Sequence, residues 1–333
     1  MIETEGCLIG SADKDNACHI TGHKIIRTDY TDKELENAIQ DLYGVTYSKD
    51  GKRLLKAFAP LLDYEVPEGV EVICNGAFMF NMIETLQLPD SLKAIGYNAF
   101  GNTNLKELTI PKNVCHIATV NPCATLLTLE KMTCESPHFV VEDGLLYTSD
   151  HKILYGAVTK DYPADIDIQE GVMVIANGAF QDRDHLHSVT MADTVLQIGA
   201  GAFHKSALQE LKLSKSLVCI PCDSFDGCQI VTLTIPEGIE SIHNGAFGNN
   251  KMLEKALLPA SMNDIELDAF VDCDLLHEIT APATSRVLNL RTLRRAGMDH
   301  HGDLHSERKK SVLGNVDVVT MVLTRRGHYS KVG

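Results

Sequence analysis

The 333-residue chain has no Trp, and aromatic residues make up only 6 % of it. Protein hot spots favour Trp, Tyr and Arg, so a surface built on stacked rings has little to draw on. No stretch approaches the ~20 consecutive apolar residues of a membrane-spanning helix, and no span is expected. The opening MIETEGCLIGSADKDNACHI carries acids where a secretory signal has a basic region, and no apolar run follows; it reads as an unexported chain. The G-x-S-x-G elbow, the phosphate-binding G-x-x-x-x-G-K-[ST], G-x-G-x-x-G and H-E-x-x-H are all missing, so neither an enzyme nor a cofactor is predicted. A formal charge of −15 repels nucleic-acid phosphates, so nucleic acid is not an expected partner. The ten cysteines lack the dense spacing of a disulfide scaffold and read as mostly reduced, buried small side chains.

What the chain does have is a repeat. Ala-Phe pairs end at Phe78, Phe100, Phe180, Phe203, Phe247 and Phe270, with Ser224-Phe225 as a variant, at steps of 22 or 23 residues inside each run. Five residues before each Phe stands an Ile (Ile73, Ile95, Ile175, Ile198, Ile220, Ile242 and Ile265), and Ile117 keeps that distance from Pro122. That makes eight units. Behind each Phe comes a segment such as Leu105-x-x-Leu108-x-Ile110-Pro111 or Ile230-x-x-Leu233-x-Ile235-Pro236. Alternation at period two predicts a strand with one buried face, ended by a Pro that cannot donate to a ladder. Each unit thus reads as strand, turn, a short Ile-centred extended piece, and a helical turn carrying Ala-Phe. One unit alone buries almost nothing, whereas stacked units share a continuous core with Phe packed inside it. Gly in Asn75-Gly76, Asn177-Gly178 and Asn244-Gly245 is expected at positive φ.

A longer periodicity overlies this one. VTYSKDGKRLLKA, from Val45 to Ala57, resembles LLYTSDHKILYGA, from Leu145 to Ala157, and both read as hairpins. The predicted organisation is an N-terminal cap over 1–42, a hairpin with three repeats over 43–138, a second hairpin with five over 139–284, and a basic cap or tail over 285–333. The phrases VPEGVEVICNGAF, LPDSLKAIGYNAF, LKELTIPKNV and IPEGIESIHNGAF, with the preceding Y-S-K-D-G hairpin, resemble the BspA-like leucine-rich repeats, across about residues 43–284. The resemblance implies a mainly β leucine-rich repeat solenoid, a right-handed superhelix of strand plus short helical turn. It also implies the cell-surface, adhesive setting of bacterial relatives.

At the N-terminal end, Thr31-Asp32-Lys33-Glu34 has capping-box spacing ahead of Leu35, Ala38, Ile39 and Leu42, so an amphipathic helix is predicted there as a cap. At the other end, residues 285–333 hold ten Lys/Arg and four Asp/Glu, a net of +6 that leaves −21 on the remainder. This tail reads as a cap leaning on its own acidic solenoid, and Val316–Leu323 as a closing strand. His300, His301 and His305 sit close together, yet a soft tail offers little preorganisation and no metal site is predicted. Cys219-x-x-Cys222 lacks a second pair at zinc spacing and reads as solenoid filler.

If the Leu and Ile alternates face inward, the outward residues follow. They are Thr85 and Gln87, Glu107 and Thr109, Thr128 and Glu130, Ser188 and Thr190, Glu210 and Lys212, Thr232 and Thr234, Lys255 and Leu257, Glu278 and Thr280. Such a face, polar and Thr-rich without an aromatic, predicts a docking surface for a protein of unspecified identity, centred on Thr85, Gln87, Glu107, Thr109, Ser188, Thr190, Glu210, Lys212, Thr232, Thr234, Lys255 and Glu278. The alternative is an intracellular assembly scaffold whose basic tail docks on an acidic surface.

Overall fold

The computed structural model describes residues 21–282 and, as backbone strands, 302–310 and 317–325. Cys7, Cys18, His300, His301 and the side chains of the basic tail, with that of His305, lie outside the described residues. The described chain forms two compact units, one of 21–163 with 171–182, the other of 164–170 with 183 onward.

Both units are leucine-rich repeat solenoids with parallel ladders. In the first, Val72–Ile73, Ala94–Ile95 and His116–Ile117 stack in parallel, Ile73 opposite Ile95 opposite Ile117. In the second, Cys219–Ile220, Ser241–Ile242 and Asp264–Ile265 repeat the arrangement. The two hairpins are Val45–Tyr47 with Arg53–Ala57 and Leu145–Thr148 with Ile153–Ala157, each with a register shift before its Tyr. Their second arms pair in parallel with the following rungs, Leu54 opposite Ile73 and Leu154 opposite Ile175. Each hairpin therefore supplies a rung of its own, and the eight sequence units become ten turns. The hairpin tips match atom for atom. Asp50 accepts from the Ser48 hydroxyl at 2.6 Å and the Lys52 amide at 3.1 Å, and Asp150 accepts from Thr148 at 2.8 Å and the Lys152 amide at 3.2 Å.

The Phe side chains fill the interior. Phe78, Phe100, Phe180, Phe203, Phe225, Phe247 and Phe270 are all fully buried. In the second unit they form a column, with centroids 5.1 Å apart from Phe203 to Phe225, 5.3 Å to Phe247 and 5.5 Å to Phe270. The segment around each Phe is a run of tight turns rather than continuous helix. Residues two before each Phe (Gly76, Asn98, Gly178, Gly201, Asp223, Gly245, Asp268) have positive φ, and so do residues two after it, from Phe80 to Asp272. A helix cannot pass through left-handed residues spaced only four apart. The hydrogen bonds give the reason for this choice. Successive amides alternate: those of Ala77 to Cys74 and Met79 to Gly76 close the turn, while those of Phe78 to Ala99 and Phe80 to Gly101 reach the next rung. Half the amides thereby tie one turn to the next.

Rungs are also joined at the opposite corner. Glu68 accepts from the Asp90 and Ser91 amides, and Glu237, in the same Pro-Glu-Gly phrase, accepts from those of Ala260 and Ser261. At the N-terminal end, Thr31 and Glu34 form the expected capping box, but the helix covers only Asp32–Glu36. Asn37 terminates it by turning its amide onto the Lys33 carbonyl, and Ile39–Gln40 pairs instead with Val45–Tyr47. Leu35 and Ala38 pack on Leu55, Val72, Cys74 and Ala94, whereas Ile39 and Leu42 are exposed. Towards the C-terminus, Asp317–Arg325 pairs antiparallel with both Glu278–Pro282 and Gly302–Lys310, so the last parallel strand has a partner on its outer side.

Candidate interaction face

A second ladder in each unit carries the residues predicted to face outward. In the first unit, Asp63–Glu65 pairs with Thr85–Gln87, and Glu107–Ile110 with Lys131–Cys134. In the second, Asp165–Ile168, Ser188–Met191 and Glu210–Lys212 are in register, as are Thr232–Thr234, Lys255–Leu257 and Glu278–Pro282. The middle residue of each is an apolar side chain turned inward (Leu86, Leu108, Val189, Leu233, Ala256, Ile279), which forces its two neighbours outward.

The predicted residues are thereby arranged in columns. Thr85, Gln87, Glu107 and Thr109 are exposed on the first unit, and Glu210, Lys212, Thr232, Thr234 and Lys255 on the second, where Ser188, Thr190 and Glu278 are half-buried. Lys255 Nζ lies 3.5 Å from Glu278 on the next rung. At the start of the second unit's face, the Ser188 hydroxyl donates to Asp165 at 2.6 Å and His187 lies 3.1 Å from it; these contacts hold the Asp165 carboxyl below its usual range.

One predicted rung is displaced. The partners of Glu107 and Thr109 are Lys131 and Thr133, not Thr128 and Glu130. Leu129 and Met132 are the buried residues of that turn, and the rung stands 24 residues after its neighbour. The Pro122 repeat breaks the period there, so counting forward by 22 arrives early. Thr128 instead donates to the Leu105 carbonyl at 2.8 Å. Two further rungs were missed, Asp63 with Glu65 and Asp165 with Asp167. Both precede the first Ala-Phe pair of their run, so the Phe-anchored count did not reach them, although Asp165-Ile-Asp-Ile168 alternates visibly.

Of the cysteine pair, Cys219 is disulfide-bonded and Cys222 is a free thiol, so the two are not bonded to each other and Cys219 is not simple filler. The other described cysteines are free, and burial pushes the Cys228 and Cys273 thiols up to about 12. Among the described residues, no helix is long and apolar enough to cross a membrane, and no group of three His, Cys, Asp or Glu could hold a metal ion.

Residues 51–124 and 173–295 match the model of the BspA type leucine rich repeat region, in six copies. No curated protein matches. Among solved structures, a leucine rich cell surface protein from Faecalibacterium prausnitzii is 30 % identical with a TM-score of 0.63; the alignment covers 72 % of this chain and 63 % of that one. The pneumococcal vaccine antigen PcpA is 22 % identical with a TM-score of 0.59, covering 67 % and 57 %. A leucine-rich repeat protein from Eubacterium ventriosum is 20 % identical with a TM-score of 0.55, covering 68 % and 74 %. The chain thus spans less than two thirds of the first two structures.

Proposed function

Since the chain belongs to the BspA type leucine-rich repeat family, we propose that it is a non-catalytic scaffold that binds a protein through its outward strand face, and that it works at a cell surface. The observation that carries the reading is the register. Exposed Glu210, Lys212, Thr232, Thr234 and Lys255 repeat rung by rung on a backbone fixed by parallel ladders and a packed Phe column. The backbone under this face is already fixed, and its short Thr side chains lose little conformational entropy when a partner covers them. Cell-surface placement is supported by likeness to the Faecalibacterium surface protein.

The test immobilises the full chain and a Thr232→Arg/Thr234→Arg variant against a panel of purified extracellular host proteins. At least one panel member should bind the parent chain and lose at least tenfold in affinity with the variant, while the thermal midpoint moves by less than ~2 °C. Unchanged affinity removes this face as the interface. Biotinylation of intact cells should label the protein; labelling only after lysis removes the surface assignment.

A further inference from the structure

Six large apolar side chains stand exposed together at one edge of the first unit: Leu42, Tyr43, Phe58, Leu62, Phe80 and Met82. Their proximity follows from the backbone. Phe58 and Phe80 lie on successive rungs, and Asn81, next to Phe80, ties those rungs together by accepting from the Leu61 amide at 2.9 Å and donating to the Ala59 carbonyl at 2.8 Å. Leu62 lies against the next rung through the amides of Glu84 and Thr85, which donate to its carbonyl. The turn at 41–44 touches the same segment, since a Cβ added to Gly44 would meet that of Ala59 at 3.0 Å, and Tyr43 packs edge-on to Tyr64 at 5.9 Å. Phe58 is 62 % and Phe80 71 % exposed. Three aromatic rings so exposed present on the order of 400 Å² by themselves, already the size of the largest patch on an ordinary monomer.

Phe80 is the unexpected member. Its φ is 64°, and the same place in the other repeats holds Asn102, Asp182, Lys205, Gly227, Asn249 and Asp272. Left-handed backbone is poorly suited to a bulky side chain, and at 71 % exposure the ring gains little packing to offset it. The tight turn would be easier to form with Asn, so the exposed phenyl ring costs the fold and gives it little packing in return.

The rim of the patch is acidic. Asp63 follows Leu62, Glu84 stands in the place of Leu62 one rung on, and Glu65 continues the strand; all are exposed, and none has an ion-pair partner among the described residues. Asp41 lies beside Tyr43, accepting its amide at 2.9 Å. The nearby Lys56 ammonium is taken up by the Gly76 carbonyl at 2.8 Å.

We propose that this patch, which borders the first unit's strand face at Asp63–Glu65, is a second docking site separate from Thr232 and Thr234, and that its occupant is a polypeptide segment combining bulky apolar side chains with Lys or Arg. The apolar residues cover Phe58, Phe80 and Met82, and the cations meet Asp63, Glu65 and Glu84 or lie over the phenyl rings. An anionic lipid surface would be repelled by the same carboxylates.

The experiment selects from a random peptide library on the full chain, then measures the selected synthetic peptides by calorimetry. Selected sequences should pair aromatic or aliphatic residues with Lys or Arg. Affinity should fall at least tenfold with Phe58→Ala/Phe80→Asn and with Asp63→Asn/Glu65→Gln/Glu84→Gln, and should be unchanged with Thr232→Arg/Thr234→Arg. The last arm separates this site from the surface at Thr232 and Thr234 that tests the proposed function, so either can fail alone. Peptides without basic residues, or equal binding by the Phe58→Ala/Phe80→Asn variant, would overturn the proposal. So would sedimentation showing a dimer of the parent chain that this variant dissociates, because the occupant would then be a second copy.

Discussion

Replacing Phe225 with Ala tests whether the stacked aromatic column holds the second unit together. The ring is fully buried and lies nearly parallel to both neighbours, 6° from Phe203 at 5.1 Å and 6° from Phe247 at 5.3 Å. Truncating a buried Phe to Ala costs about 3–5 kcal/mol in transfer and cavity terms. Each stacked pair adds roughly 0.5–1.5 kcal/mol beyond area burial, and two pairs are lost, so the total is about 4–8 kcal/mol. With about 2–4 °C of melting shift per kcal/mol in a unit of this size, the midpoint should fall by roughly 8–30 °C. Phe100 is an internal comparison: it is equally buried, but it stacks on Phe78 more loosely, at 6.2 Å and 20°. Phe100→Ala should therefore be milder by about 1 kcal/mol. Circular dichroism melts and urea titrations of the two variants measure both quantities. A shift below ~5 °C for Phe225→Ala, or a larger loss for Phe100→Ala, would refute the column as the main source of cohesion.

Gly156 and Gly171 share a φ near +105°, but a Cβ at Gly156 would lie 1.9 Å from the Ala179 carbonyl oxygen while Gly171 faces open space. Gly171→Ala should cost only the backbone strain, about 1–2 kcal/mol by urea titration, and Gly156→Ala distinctly more, to the point of losing soluble protein. Phe80→Asn places a residue suited to left-handed backbone where Phe now stands, and should raise urea-unfolding stability by about 0.5–1 kcal/mol; a loss would mean the ring has an intramolecular role. Asp226 is buried, which alone would raise its carboxyl pKa, but His204 at 3.1 Å and Asn249 at 2.8 Å outweigh burial and lower it. A carboxyl lowered by folding stabilises above its unfolded value near ~4 and loses that contribution as pH falls through the folded one. Asp226→Asn should thus be less stable than the parent chain at pH 7, with the gap closing below pH ~4; a constant gap would assign the loss to packing.

The repeat itself was legible because stacking imposes the same burial on the same position of every turn. Phe, Ile and alternating Leu therefore recur at 22 or 23 residues, and the hairpins repeat with matching tips. The period failed where Pro122 replaces Phe, since a count anchored on one residue cannot register a local insertion, and Thr128 and Glu130 gave way to Lys131 and Thr133. The helix predicted through Ile39 and Leu42 stopped at Glu36 because the hairpin strand offered Ile39–Gln40 backbone partners that local sequence does not reveal.

Sequence alone determined the fold class, the buried Phe, Ile and Leu positions and most of the outward residues, since all of these follow from a short period repeated many times. Tertiary structure decided what depends on neighbouring rungs. It set the amide pattern that turns a helical segment into linked tight turns, the two rungs supplied by hairpin arms, and the gathering of Tyr43, Phe58 and Phe80 at one edge. Residues 22 apart are distant along the chain yet adjacent in the stack, and contacts made in that direction leave no local signal.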